Sequence, residues 1–579
     1  MRIIIGLILF WITVFGIKIF IENKCMIDSK FSFALGITII GIIEFIFGIL
    51  NVMKIGSVLL VLASITYLGL LIGKGKYNKK KILEYVKDPI HIVCFLVFIY
   101  ITIIGLKMHI THYDNFSHWA LIIKTMFQFD RLPNFENNYL LFKGYQPGSA
   151  CFIYLVGLLC GKKEELMIVA HNYLIFSYLT VLLNYVGKDK KIWKIALIIC
   201  FYIFIMTTAK IRFNNLLVDS LLAVQLIFGL SLVYFYKDNI KKAALYSLPI
   251  SIYLLLVKNT GLIFAGIICL YILFLAWKQK QLKIGIKYTV VTGIVLMATL
   301  LIWQKHVSLV YGYWALESKH SLSTQNIMAS LKALGKDNII LFTKMYIKHL
   351  FSLKNNITNI YLLVFNAVVA LSAFLFKNKK DVFKFLLVLD GLYLAYYFIL
   401  GLMYIFSMPW EEAKVFASYE RYMMTIIVTM IGLFVFYVFN NYKIINKPII
   451  VYCMMSLILL VPIYYRNETF LGLLGKDDYK GSPVEKFDKI ESIIPLDKDS
   501  YYIYAPSSKG DAGLLYFISI YKLQKEDVVI IQDEEKMETI PQDTYLVLYD
   551  EVKGDKVSLD EQFTKVNEKV FTRKEGDTF

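Results

Sequence analysis

Charged residues are scarce in this chain of 579 residues, where Asp, Glu, Lys and Arg together make up 18% of the sequence. Soluble globular proteins carry roughly 25% charged and 45–50% apolar residues. Here the apolar residues reach 58%, the mean hydropathy is +0.59, and apolar runs of membrane-spanning length recur along the chain. The composition excludes a soluble enzyme, a disordered chain and a nucleic-acid-binding domain. It predicts an all-α polytopic membrane protein embedded in a lipid bilayer.

Paired cysteines and nucleotide-binding motifs are also missing. The seven cysteines show no CxxC spacing and none lies in the polar C-terminal region, so neither a disulfide framework nor a zinc site is expected. The sequence contains no Walker motif, GxGxxG fingerprint or HExxH. Nucleotide-driven transport and zincin chemistry therefore have no support.

The net charge of +18 is divided unevenly along the chain. Residues 466–579 contain 16 basic and 24 acidic residues, whereas residues 1–465 contain 46 basic and 20 acidic residues. The basic excess lies in short loops between apolar runs, which is the positive-inside pattern. Residues 466–579 are predicted to form a small extracytoplasmic α/β domain, with strands over 501–504, 528–531 and 545–548 and a helix over 512–521.

The basic segment Lys74–Lys87 orients the spans, because it is expected on the cytoplasmic side. Loops 107–165 and 305–355 then lie outside, as do both termini. The apolar stretch 145–160 is too short to span, and we expect a half-inserted helix that begins after Pro147. In total the sequence predicts roughly fourteen spans, at 3–22, 32–52, 56–73, 89–106, 166–186, 192–209, 214–236, 243–257, 259–277, 285–304, 356–376, 383–405, 420–440 and 448–464.

The densest polar cluster opens the first large outer loop and contains His112, Asp114, His118 and Trp119. A carboxylate at the outer end of a span, in a loop rich in His and Trp, suits general-base chemistry at the membrane surface. Because His and Asp are common ligands, the same residues could bind a divalent metal. The alternative is an interfacial belt, in which Trp, Tyr and His are expected anyway.

Three further charged residues are predicted at the outer ends of spans: Asp219, Lys258 and Arg421. Lys and Arg at this level would bind an anionic phosphate, Arg through a bidentate fork. Each charge taken alone is more often a snorkelling or structural charge. Their convergence with Asp114 on one membrane face favours a site.

The order of these motifs resembles that of the GT-C superfamily of polytopic glycosyltransferases, which contains the protein mannosyltransferases and the aminoarabinose transferases. Tyr113–Trp119 matches its acidic motif and Gly144–Gly148 its Pro-containing segment. Asp219 matches the second acidic position, and Ser418–Tyr422 is similar to a late Arg-Tyr motif. The resemblance covers residues 89–465, so that residues 1–88 are additional N-terminal transmembrane helices.

The resemblance implies a mechanism. The donor is a sugar linked to polyprenyl phosphate, Asp114 is the general base, and Asp219 is a second catalytic carboxylate. Arg421 and Lys258 hold the lipid phosphate as leaving group. His118, Trp119 and Tyr422 lie in the same region as these groups and are predicted to bind substrate.

One departure from the family bears on metals. The family usually has a second carboxylate beside the first, whereas here Asp114 is followed by Asn115, with Asp219 or Asp130 as substitutes. No cofactor is certain. If Mg²⁺ or Mn²⁺ is used, the expected ligands are Asp114, Asp219 and His112.

The resulting prediction is a glycosyltransferase of a bacterial plasma membrane that modifies a glycopolymer, a teichoic acid or a glycolipid on the outer face. The first alternative is a flippase or transporter of lipid-linked sugars. The second is a non-catalytic scaffold for envelope assembly. Within the enzyme class, a polymerase that uses diphosphate-linked repeats is a third.

Overall fold

The computed structural model describes residues 1–75, 87–185, 191–208, 212–312, 315, 324–354, 356–465, 471–552 and 562–574. It is mostly helical, with one small sheet near the C-terminus. The helices are α1 (Arg2–Lys24), α2 (Ser29–Ile49), α3 (Met53–Gly73), α4 (Pro89–Gly105), α5 (Ala120–Phe129), α6 (Gly148–Cys160), α7 (Glu165–Asn184), α8 (Lys191–Thr207), α9 (Asp219–Phe235), α10 (Ile240–Val257), α11 (Gly261–Lys278), α12 (Leu282–Tyr311), α13 (Thr324–Phe351), α14 (Ile357–Ala373), α15 (Lys379–Ser407), α16 (Trp410–Ala413), α17 (Tyr419–Asn440), α18 (Pro448–Tyr465), α19 (Pro483–Glu491) and α20 (Leu514–Leu523). A single π-helical turn covers Asn115–Trp119.

Within the described ranges, nine helices are long and apolar enough to cross a membrane: α1, α2, α3, α7, α10, α11, α12, α15 and α17. The other five predicted spans coincide with the shorter apolar helices α4, α8, α9, α14 and α18. A multi-pass helical membrane protein is therefore supported, while the count of fourteen spans stays a prediction. Helix α6 has 13 residues and begins directly after Pro147, as the sequence indicates. Most of the basic segment that orients the prediction, residues 76–86, lies outside the described residues.

The segment 305–355, expected as a polar outer loop, is helical over much of its described length. Helix α12 continues to Tyr311, and α13 follows with a break at Gly335, whose φ is +67°. The helix forms because α13 packs its aromatic residues on α15: the Tyr346 hydroxyl donates to the Tyr397 carbonyl oxygen at 2.8 Å. The polar residues of this segment led to the prediction of a loop, because they interrupt the apolar face of the helix.

Helix α7 is the centre of the bundle, because every residue in its most apolar 18-residue window is buried. The N-terminal helices belong to the same bundle. Helix α2 packs against α6, α7 and α10, and the Thr38 and Tyr178 hydroxyls share a hydrogen bond at 2.9 Å. Helices α1 and α2 are therefore packed against the rest of the chain.

Helix α9 begins at Asp219 and not at residue 214, where the sequence analysis placed the start of this span. The cause is local. The Asn215 side chain accepts the Leu217 N–H at 3.0 Å, and such side-chain bonds compete with helical ones. Asp219 is thus a first-turn residue, where unpaired N–H groups favour a carboxylate.

The C-terminal sheet has five strands: β1 (Ser500–Tyr504), β2 (Asp527–Ile531), β3 (Tyr545–Leu548), β4 (Phe563–Lys565) and β5 (Val570–Arg573). Their order is β2-β1-β3-β5-β4, with β1 parallel to β2 and β3, and β5 antiparallel to its neighbours. Helix α20 lies between the parallel strands β1 and β2 in the chain, as parallel strands require a crossover connection. The three predicted strands and the predicted helix are confirmed within a few residues.

Helix α20 packs onto the segment that begins at Asp114. Phe116 meets Tyr521 edge to face, with ring centroids 5.2 Å apart. The Lys124 ammonium donates to the Tyr521 carbonyl oxygen at 2.8 Å, and the Tyr521 hydroxyl donates to Glu164 at 2.6 Å. The Thr111 hydroxyl adds a bond of 2.6 Å to Asp478. The C-terminal region therefore holds the π-helical turn in place.

Substituting Lys124→Met should weaken this contact, because a buried carbonyl at the end of α20 loses its donor. We expect a loss of about 1–2 kcal/mol in the free energy of unfolding, together with faster proteolysis between α18 and β1. Thermal unfolding and limited proteolysis of the detergent-solubilised protein measure both effects. The exposed Lys163→Met variant is the matched control. Equal behaviour of the two variants would contradict the role of Lys124.

Candidate functional site

The guanidinium of Arg421 joins two aspartates from distant parts of the chain. Its Nη1 lies 2.5 Å from Asp114 Oδ2, and its Nε lies 3.4 Å from Asp219 Oδ2. Arg421 is placed for this by the first turn of α17, and Asp219 by the first turn of α9. The side chain of Asp114 is 31% exposed and that of Asp219 only 4%. The two carboxylates are therefore unequal: Asp114 is the accessible one.

Lys258 completes the cluster from the end of α10. Its ammonium lies 2.9 Å from Asp219 Oδ1 and 5.0 Å from the centroid of the Tyr422 ring. The Arg421 guanidinium lies 5.3 Å from the same ring. Tyr422 thus presents its face to two cations, an arrangement that stabilises positive charge. Asp114, Asp219, Lys258 and Arg421 are predicted from the sequence to share one membrane face, and the structure brings them into one cluster with Tyr422.

Close approach of α6 to the end of α10 helps to position Lys258. A Cβ added to Gly148 would lie 2.5 Å from the Leu256 carbonyl oxygen, which is sterically prohibitive. The Pro-containing segment therefore needs glycine here. The Gln146 amide also bonds the side chain of Asn259, the residue after Lys258.

Asparagine side chains hold the Asp114 segment against the Asp219 segment. Asn115 Oδ1 accepts the Leu216 N–H at 3.1 Å, and Asn214 Nδ2 donates to the His109 carbonyl at 2.7 Å. Both asparagines are buried. At the position where the family motif would carry a carboxylate, Asn115 instead ties the two acidic segments together.

Aromatic rings from residues 118–145 lie close to the cluster. The His118 ring centroid lies 4.8 Å from both Trp119 and Tyr145 and 5.9 Å from Phe142. Burial lowers the pKa of His118 to about 3, an effect that the charge of Asp114 opposes. His118 is therefore neutral near physiological pH. Tyr145 was noted in the sequence only as part of the Pro-containing segment, and its place in this cluster follows from the tertiary fold.

His112 supports the backbone at Asp114. Its Nδ1 accepts the Asp114 N–H at 3.1 Å, and burial lowers its pKa while Asp114 opposes this. The positive charge of Arg212 also lowers the pKa of His112. Arg212 forms an ion pair with Asp478. Arg212 and Asp478 are not predictable from the sequence, because nothing in the local sequence shows that the C-terminal region reaches this loop.

Asp130, considered as a substitute second carboxylate, binds elsewhere. It forms ion pairs with Lys162 and with Lys54, the latter at 3.3 Å, and accepts the Tyr154 hydroxyl at 2.8 Å. Although burial opposes the effect, bonds from Lys162, Tyr154 and Lys54 hold the pKa of Asp130 below its usual value. Asp219 is therefore the second carboxylate that accompanies Asp114.

The cluster does not fit a divalent metal in this arrangement. The Arg421 guanidinium lies between the two carboxylates, where a metal ion would need their oxygens, and His112 Nδ1 already accepts a backbone N–H. Across the part of the chain that the structure describes, no group of three or more His, Cys, Asp or Glu side chains is arranged to hold a metal. Guanidinium and ammonium groups supply the positive charge here.

Comparisons with known proteins leave the family open. No family model matches the chain, and no curated protein and no solved structure matches it either. The GT-C resemblance therefore stays a prediction carried by the motifs.

Asp219→Asn should destabilise the protein more than Asp114→Asn. Asp219 is nearly buried and contacts two cations, so its neutralisation leaves Lys258 and Arg421 without their shared partner. We expect a loss of about 3 kcal/mol in unfolding free energy for Asp219→Asn, against about 1 kcal/mol or less for the more exposed Asp114→Asn. Thermal or denaturant unfolding in detergent gives the order of the two variants, and the reverse order would refute the geometry.

Proposed function

We propose that the chain is a membrane-embedded glycosyltransferase that moves a sugar from a polyprenyl-phosphate donor to an envelope glycopolymer, teichoic acid or glycolipid. The reaction would take place at the outer face of a bacterial plasma membrane, on the same side as the C-terminal α/β region. One observation carries the proposal: two carboxylates and two cations from four separate segments meet at one end of the helical bundle. A carboxylate can accept the acceptor's proton, and the cations can receive a phosphate leaving group.

The charges of the four groups sum to zero. A phosphate that enters the site must therefore compete with the carboxylates. A phosphate that binds Arg421 and Lys258 competes with the carboxylates for these cations. Asp114 is released more readily than Asp219, because Asp114 is partly exposed and is held by Arg421, whereas Asp219 is buried and binds both cations. Donor binding would therefore free Asp114 to act as a base, while Asp219 keeps the two cations in position.

The transfer step follows from these positions. Asp114 takes the proton of the acceptor hydroxyl, and the acceptor oxygen forms a bond to the anomeric carbon. The bond between that carbon and the phosphate oxygen breaks, and the lipid phosphate leaves with its electron pair. Attack from the face opposite the leaving group inverts the anomeric centre. Arg421 and Lys258 stabilise the charge that develops on the phosphate, Arg421 in bidentate fashion. The aromatic rings of Trp119, Tyr145 and Tyr422 offer apolar faces on which a sugar ring can pack.

Sugar transfer from an envelope lipid extract tests the base. We expect Asp114→Asn to reduce the transfer rate by about 10²–10⁴-fold, the usual contribution of a positioned general base. The matched control is Glu136→Gln, an exposed carboxylate of the same outer loop, which should transfer at the wild-type rate. If Asp114→Asn transfers as well as the wild type, the catalytic assignment is wrong. A flippase for lipid-linked sugars or a non-catalytic assembly protein would then be the better reading.

Substitutions of Arg421 test phosphate binding separately from the base. Arg421→Lys keeps one positive charge but loses the bidentate fork, so we expect a raised KM for the donor and a lowered kcat. Arg421→Ala should lose transfer almost completely. Equal kinetics of Arg421→Lys and the wild type would exclude a bidentate contact to phosphate.

Chelation tests whether sugar transfer requires a divalent metal ion. Because a guanidinium takes the place between the two carboxylates, transfer should be unchanged by EDTA. Loss of transfer on chelation, with recovery on adding Mg²⁺ or Mn²⁺, would show that Arg421 gives way to a metal ion when substrate binds.

A further inference from the structure

We propose that the end of the bundle opposite Asp114 carries a binding site for the phosphate headgroup of an anionic phospholipid. The site, called here the inner pocket, is a cavity of about 450 Å³. Its lining residues are Lys30, Tyr185, Tyr234, Phe235, Lys237, Phe439, Asn440 and Tyr442. Helix α9 separates it from the Asp219 end: 17 residues of α-helix span about 25 Å. The proposal is independent of the glycosyltransferase assignment.

The inner pocket contains two lysines, and the charge of Asp28 acts on Tyr185 in its lining. The Lys30 ammonium lies 4.8 Å from the Phe235 ring and 5.3 Å from the Tyr185 ring, and the Lys237 ammonium lies 4.3 Å from the Tyr234 ring. Within the described ranges, neither lysine has an Asp or Glu oxygen within ion-pair distance. Cation–π contacts offset only part of the cost of holding two ammonium groups together. An anion between them would offset the rest.

A third lysine contacts two of the aromatic rings that line the pocket. Lys194 is 1% exposed, and its ammonium lies 4.2 Å from the Tyr442 ring and 5.6 Å from the Phe439 ring. Both rings also line the pocket.

A buried hydroxyl gives the second, independent indication. The Tyr185 hydroxyl is buried and has no hydrogen-bond partner among the residues that the structure describes. A buried hydroxyl without a partner is costly. Since a phosphate oxygen is a strong acceptor, Tyr185 would donate to it while Lys30 and Lys237 supply the charge.

The lining favours a lipid over a free anion. Five of the eight lining residues are aromatic, and they lie at the ends of membrane helices, where tyrosine and phenylalanine rings meet glycerol and acyl groups. Basic pockets between helices at the cytoplasmic level are the usual binding sites for anionic headgroups. The occupant inferred is therefore a phospholipid with a net negative headgroup, such as phosphatidylglycerol.

Native mass spectrometry of the full-length protein in neutral detergent, titrated with phosphatidylglycerol, tests the site. The double variant Lys30→Gln/Lys237→Gln should bind roughly tenfold more weakly than the wild type. The matched control, Lys241→Gln/Lys242→Gln, removes the same charge from exposed positions at the same end of the bundle and should bind as the wild type does. Equal weakening in both variants would overturn the proposal, since it would show only a general surface-charge effect.

Two further measurements complete the test: competition between phosphate compounds, and binding by a variant that keeps both lysines. Phosphatidylcholine and inorganic phosphate should each fail to displace phosphatidylglycerol. Displacement by either would overturn the assignment to an anionic lipid. Tyr185→Phe keeps both lysines and removes only the hydroxyl, and it should weaken binding roughly fivefold. Unchanged binding by Tyr185→Phe, in a protein with wild-type thermal stability, would show that the lipid binds outside the inner pocket.

Discussion

The position of Arg421 between Asp114 and Asp219 is the interaction on which the arrangement of the site depends. An arginine at this depth is tolerated only because two carboxylates compensate it, and a carboxylate as buried as Asp219 is tolerated only because two cations do. The charges are therefore mutually dependent: removing Arg421 leaves Asp114 without its cation, and removing Asp219 leaves Lys258 without its carboxylate. This mutual dependence fixes α9, α10 and α17 relative to the segment that carries Asp114.

The surrounding structure holds the cluster from two directions. Below it, the tightly packed ends of α6 and α10 place Lys258, with Gly148 allowing their approach. Above it, α20 of the C-terminal region packs against the π-helical turn that follows Asp114. The acidic C-terminal region, a separate unit by composition, is thus part of the support for Asp114. The C-terminal region and the helical bundle therefore meet beside Asp114, the more exposed of the two carboxylates in the cluster.

The sequence predicts the membrane helices well, because apolar runs of spanning length are a local signal. It also predicts that Asp114, Asp219, Lys258 and Arg421 share one face, because charge asymmetry orients each span. It does not predict the partners within that face. That Asp130 pairs with Lys162 and Lys54, and that Asn115 binds the Leu216 N–H, depends on contacts between segments far apart in sequence. The helical state of 324–351 was also hidden, because its apolar face is interrupted by lysines and a glycine.

The most direct measurement of the central claim is a double-mutant cycle on Asp219 and Arg421, with Asp219→Asn, Arg421→Gln and both together in reversible unfolding in mixed micelles. Contact between the two side chains predicts that their effects are strongly non-additive, with a coupling energy of about 1–3 kcal/mol. The double variant should then be little worse than the more damaging single variant. Additive losses would show that the guanidinium and the buried carboxylate do not interact, and the account of the site would fail at its centre.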